Sequence, residues 1–112
     1  MRNYLIDEIK PEFVEKIKEH FSEHTSCQSP IEDIFWINLP QELLTQIQKE
    51  HFSSCGPYVM GLEIGDSWIK LELLVRPPST LNCSCMQYAT AEQRKYGMDI
   101  LDKVFQELQI PS

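Results

Sequence analysis

A chain of 112 residues, 42% of them hydrophobic and 24% charged, has the composition of one ordinary folded domain and can bury a core without a covalent staple. Its aromatic and β-branched content argues against disorder. A formal net charge of −7, with five basic and ten acidic residues through Gly56 and five basic and seven acidic after it, counts against binding to nucleic acid or to an anionic membrane.

The stretch from Arg2 to Glu8 has too short an apolar run for a secretory leader, and no segment approaches membrane-spanning length. A cytoplasmic location is the resulting expectation. There Cys27, Cys55, Cys83 and Cys85 are thiols or metal ligands rather than structural disulfides.

Pro11 suits a first helical turn, and Phe13, Val14, Ile17 and Phe21 recur at helical spacing. This predicts a first helix from Pro11 to Glu23. The polar stretch Thr25 to Ser29 reads as a loop. Ser29-Pro30-Ile31-Glu32 resembles a capping box and predicts a short helix, while Ile34-Phe35-Trp36-Ile37 fits a strand equally well, so residues 30–38 stay open. Asn38-Leu39-Pro40 is read as opening the next helix, with Leu43, Leu44, Ile47 and His51 on one face. Gly56-Pro57 is read as ending it, with glycine as a left-handed cap.

The strongest local pattern is a β-hairpin. Tyr58–Ile64 and Trp68–Arg76 flank Gly65-Asp66, taken as a two-residue turn. In that register Leu62 faces Ile69, Met60 faces Leu71 and Tyr58 faces Leu73, an all-apolar face. Pro77-Pro78 stops the second strand, and Leu81–Tyr88 is a candidate third strand. With a four-residue loop, Arg76 would face Leu81, Leu74 would face Cys83 and Glu72 would face Cys85. Thr90-Ala91-Glu92-Gln93 is a capping box that starts the last helix. Its apolar stripe is Gly97, Ile100, Leu101, Val104 and Leu108, and it ends near Ile110-Pro111. Gly97 within that stripe reads as a close approach of helix to sheet. The predicted fold is α+β, a single domain: N-terminal helices, an antiparallel hairpin or three-stranded sheet, and a C-terminal helix on one sheet face.

Cys83-Ser84-Cys85 is the most distinctive motif for chemistry. In a strand, residues two apart share a side, so two sulfurs would be neighbours able to share a metal or form a reducible disulfide. Structural zinc takes four ligands, and Cys55 and His51, one helical turn apart, are the candidates to complete the set. The competing reading is that cysteine is simply a small buried packing residue. His20, His24 and Cys27 also have ladder spacing, but they read as the edge of an amphipathic helix. No carboxylate pair stands out, and four glycines provide no phosphate loop. Trp68 and Leu74 lie on the hairpin's second face, where either the Ile34–Ile37 segment or another chain, a protein partner or a second copy, would cover them. The leading expectation is therefore a non-catalytic interaction domain with no cofactor. The alternative is a small zinc-binding or thiol-redox protein using Cys83, Cys85, Cys55 and His51.

Overall fold

Among residues 2–78 and 83–111, which the computed structural model describes, the chain runs through six strands and three helices. The strands are β1 (Asn3–Ile6), β2 (Ile34–Asn38), β3 (Val59–Ile64), β4 (Ile69–Glu72), β5 (Leu74–Val75) and β6 (Gln87–Tyr88). The helices are α1 (Pro11–Ser22), α2 (Gln46–Cys55) and α3 (Ala91–Glu107). Four strands form an antiparallel sheet in the order β1-β4-β3-β2, and β5 pairs with β6 in a two-stranded sheet. The α+β class expected from the pattern is the class observed. No helix among the described residues is long and apolar enough to cross a membrane.

The core lies between one face of the large sheet and the helices. Met60, Leu62, Ile64, Ile69 and Leu71 point into it from the hairpin strands, and Phe35 and Ile37 from β2. From α1 come Val14, Ile17 and Phe21, whose ring lies 5.8 Å from that of Phe35. From α3 come Leu101, Val104 and Phe105. Gly97 brings α3 close to the sheet: a Cβ there would stand 2.8 Å from both Leu71 Cδ2 and Met60 Cε. Close approach is therefore the reason for glycine in that stripe.

The hairpin has the expected face but not the expected register. Leu62 pairs with Leu71, Glu63 with Lys70 and Ile64 with Ile69, so the pairing is shifted by two residues. A one-residue slip would have turned the apolar set outward, whereas a shift of two keeps each side chain on its side. The turn is centred on Asp66-Ser67, closed by the Gly65 amide donating to the Trp68 carbonyl at 2.8 Å. Gly65 does not supply a left-handed residue, since no glycine has positive φ. The Trp68 indole lies across it in the space a side chain would need.

The extra strands of the large sheet are β1 and β2, not the segment before α3. β1 was not expected; its modest signal is the alternation of half-buried Tyr4 and Ile6 with exposed Asn3 and Leu5. The open question at residues 30–38 resolves as strand β2 after a turn. Ser29 Oγ accepts from the Ile31 amide at 3.1 Å and donates to the Ile34 carbonyl at 2.6 Å, which closes a turn rather than capping a helix. The expected third strand shrinks to Gln87–Tyr88. Leu74 faces Tyr88 rather than Cys83, and the Cys83–Cys85 stretch is a turn. The expected pairing of Arg76 with Leu81 falls outside the described residues.

The second helix starts six residues later than Pro40 suggested. Gln41–Leu43 is one 3-10 turn, and the true start is a capping box at Thr45, whose Oγ1 accepts from the Gln48 amide at 3.3 Å while Gln48 Oε1 accepts from the Thr45 amide at 3.0 Å. At its other end Gly56 is extended rather than left-handed, with the Phe52 ring lying over it. The Gly56–Pro57 peptide is cis.

Candidate metal centre

Two segments far apart in sequence meet at the cysteine turn. On α2, His51 and Cys55 are four apart and so project from one side of the helix. The turn at Cys83–Cys85 approaches that side. His51 Nδ1 lies 3.1 Å from Cys83 Sγ, Cys55 Sγ 3.6 Å and Cys85 Sγ 2.8 Å from the same sulfur. All four candidate ligand atoms fall within 4.8 Å of one another. Cys85 is completely buried and belongs to the main core, whereas His51, Cys55 and Cys83 are half-buried. The expectation that both cysteines would share the sheet's second face with Trp68 and Leu74 is therefore corrected. They sit in a turn, where strand alternation does not govern their direction.

The turn is held by amides from the two capping boxes. Gln48 Nε2 donates to the Cys85 carbonyl at 3.4 Å. Gln93 Nε2 donates to Gln48 Oε1 at 3.0 Å and to the Leu43 carbonyl at 2.8 Å. Gln93 Oε1 meanwhile accepts from the Thr90 amide at 3.1 Å, and Thr90 Oγ1 from the Gln93 amide at 3.1 Å. The starts of α2 and α3 and the backbone of Cys85 are thus one buried polar network. Sequence reasoning found the Thr90–Gln93 box and missed its twin at Thr45–Gln48, although the same spacing rule identifies both.

The electrostatics separate the two turn cysteines. The Cys85 thiol and then the Cys85 backbone amide, donating to Cys83 Sγ, hold the Cys83 pKa well below the ordinary thiol value. Cys55 and His51 add smaller contributions in the same direction. Burial, and then donation to Cys83, push Cys85 up, so it is the protonated partner when no metal is bound. The Tyr58 hydroxyl is buried next to Cys85 without a hydrogen-bond partner of good geometry among the described residues. Burial and Cys85 hold its pKa far above the phenol range, leaving a neutral O–H for a sulfur acceptor.

Three sulfurs and one imidazole are a soft donor set, which suits zinc and disfavours magnesium or calcium. A tetrahedral zinc ion with Zn–S bonds of about 2.3 Å places its sulfurs about 3.8 Å apart. The Cys55–Cys83 separation of 3.6 Å matches that edge. The Cys83–Cys85 separation of 2.8 Å needs to open by about 1 Å to seat the ion.

The other sequence candidates lie elsewhere. His24 Nδ1 bonds to the His20 carbonyl at 2.8 Å, and Cys27 lies in a 3-10 turn, Thr25–Cys27, that follows α1. Neither belongs to the four-residue cluster. Trp68 covers Gly65 with Lys70 Nζ 5.5 Å from its ring centroid, and Leu74 pairs with Tyr88 in the small sheet. Both are half-buried. No family model, curated protein or solved structure matches this chain.

Proposed function

We propose that the protein binds one zinc ion through His51, Cys55, Cys83 and Cys85, and that the ion is structural. The observation that carries this is the convergence of four soft ligand atoms within 4.8 Å from segments 28 residues apart. Four protein ligands fill a tetrahedron and leave no position for a water or substrate, which is the pattern of a closed structural site rather than a catalytic one. The ion would clamp α2 to the turn that leads into α3, and its binding free energy would add to folding.

The test is metal analysis of protein purified without added metal, alongside Cys83→Ser and Cys27→Ser. One zinc per chain is expected for the wild type and for Cys27→Ser, with loss in Cys83→Ser. Metal-free wild type that refuses zinc on reconstitution would overturn the proposal.

A protein partner on the sheet's open face is the second reading. Burial alternates without a break from Ile69 to Arg76, which places Lys70, Glu72 and Leu74 on that face; Leu5, opposite Lys70, and Tyr88, opposite Leu74, share it and are 51% and 41% exposed. Sedimentation analysis of wild type and Leu5→Glu tests self-association there, and a monomer in both removes the second copy as occupant.

A further inference from the structure

We infer that Cys83 is a site of peroxide oxidation, and that oxidation ends in a Cys83–Cys85 disulfide that expels the metal. The inference rests on the zinc reading above and adds a control to the same site. Three observations carry it. Cys83 is half-buried, while Cys85 is fully enclosed. Without the ion their sulfurs rest 2.8 Å apart, closer than Cys83 is to Cys55 at 3.6 Å, so the pair closes on itself once zinc no longer holds it open. The two cysteines also occupy a turn rather than a strand or helix, and the Cys85 amide points at Cys83 Sγ from 3.4 Å. A disulfide needs Cα atoms about 4.4–6.8 Å apart, a span that residues two apart across a bend can meet.

The chemistry balances with hydrogen peroxide as the oxidant. The Cys83 thiolate attacks one peroxide oxygen; the S–O bond forms, the O–O bond breaks and hydroxide leaves, giving a sulfenic acid. The Cys85 thiolate then attacks the Cys83 sulfur; the S–S bond forms, the S–O bond breaks and a second hydroxide leaves. Two thiolates have given two electrons to one peroxide. The cluster retains His51 and Cys55, half the set that a structural zinc ion requires. Cys85 cannot meet the oxidant itself, but it needs only to reach Cys83.

The experiment uses zinc-loaded protein free of reductant, one equivalent of peroxide, a chromophoric zinc chelator, and peptide mapping by mass spectrometry. The expected result is release of zinc in step with a Cys83–Cys85 linkage, reversed by dithiothreitol and added zinc. In metal-free Cys85→Ala, peroxide should leave a Cys83 sulfenic acid trapped by dimedone, with no Cys83–Cys85 disulfide. Zinc that stays bound while all thiols persist would overturn the inference and leave the metal reading intact. A linkage through Cys55 or Cys27 in place of Cys85 would overturn it as well. Failure to take up zinc at the start would overturn the metal reading, and this inference with it.

Discussion

Gln93 donates from Nε2 to Oε1 of Gln48 at 3.0 Å, and both side chains are completely buried. Each glutamine is also the third residue of its own helix and completes a capping box with its threonine. Two local devices that normally satisfy orphan amides at separate helix ends are here joined to each other. The joint continues to the Cys85 carbonyl, so helix capping and the placement of the cysteine turn share the same atoms.

Gln93→Ala should therefore cost more than a surface cap. It strands the Leu43 acceptor, takes one of two donors from Gln48 Oε1, which keeps the Thr45 amide, and removes half of the Thr90 box. Each buried group left unsatisfied costs about 1–3 kcal/mol. The urea midpoint should fall with an unchanged slope; a midpoint equal to wild type would show that water replaces the amide without loss.

Tyr58→Phe tests the proposed zinc site without touching a candidate ligand. Its hydroxyl is buried beside Cys85 with no hydrogen-bond partner of good geometry among the described residues, and so is free to donate to a metal-bound sulfur. Loss of such a supporting group lowers metal affinity about 10–100-fold. Competition against a chelator of known affinity gives the ratio, and unchanged zinc affinity would remove Tyr58 from the site's support.

In metal-free protein, iodoacetamide should label Cys83 before Cys27. Donation from Cys85 lowers the Cys83 pKa, while burial raises that of Cys27. A lowered pKa keeps the reactive thiolate present as pH falls below the ordinary thiol range of about 8.5. The pH midpoint of Cys83 labelling should therefore lie below that value and move up in Cys85→Ala. Equal rates at Cys83 and Cys27 across pH would contradict this electrostatic picture.

Gly56→Ala should destabilise the protein even though φ at Gly56 is −67°, which any residue adopts. The added Cβ would stand 2.7 Å from the Phe52 carbonyl oxygen and 2.6 Å from its Cδ2. Forcing atoms into a packed site costs about 1–3 kcal/mol. A thermal midpoint at or above wild type would mean that the turn after α2 yields freely.

Leu71→Ala tests the core between sheet and α3. Leu71 is fully buried against Gly97. Truncating a buried leucine costs about 2–5 kcal/mol, so a variant of wild-type stability would place Leu71 outside the core.

The elements with a strong period were legible in the sequence. α1, α3 and the buried face of the hairpin all followed from spacing. Several of the differences arise where glycine or proline reads as local punctuation but another local or packing feature decides the structure; β1 and the Thr45 capping box are separate cases with only weak signals in the sequence. Gly65 reads as a turn residue and its amide does close the turn, but the space its missing side chain leaves is filled by the Trp68 ring. Gly56 reads as a left-handed cap, but it is extended and lies under Phe52. Pro40 reads as the start of a helix that Thr45 caps. The residues of the cysteine cluster could be listed from side-chain chemistry and the i, i+4 spacing on α2. How the turn reaches that helix could not, because it depends on amide bonds between residues 45 positions apart.

The position of β1 has a consequence for the protein at high concentration. It is an edge strand, paired on one side to β4, and it carries Leu5 at 51% exposure. An outer strand of this kind is a template on which another chain can add, the first step toward aggregation. The acidic pair Asp7 and Glu8 directly follows it, and the whole molecule carries −7. Like charge keeps such edges apart, but only across distances that salt does not screen, about 10 Å at 0.1 M. The acidity that argued against a nucleic-acid partner thus also preserves colloidal stability, and that protection weakens as salt is added or as the carboxylates are neutralised.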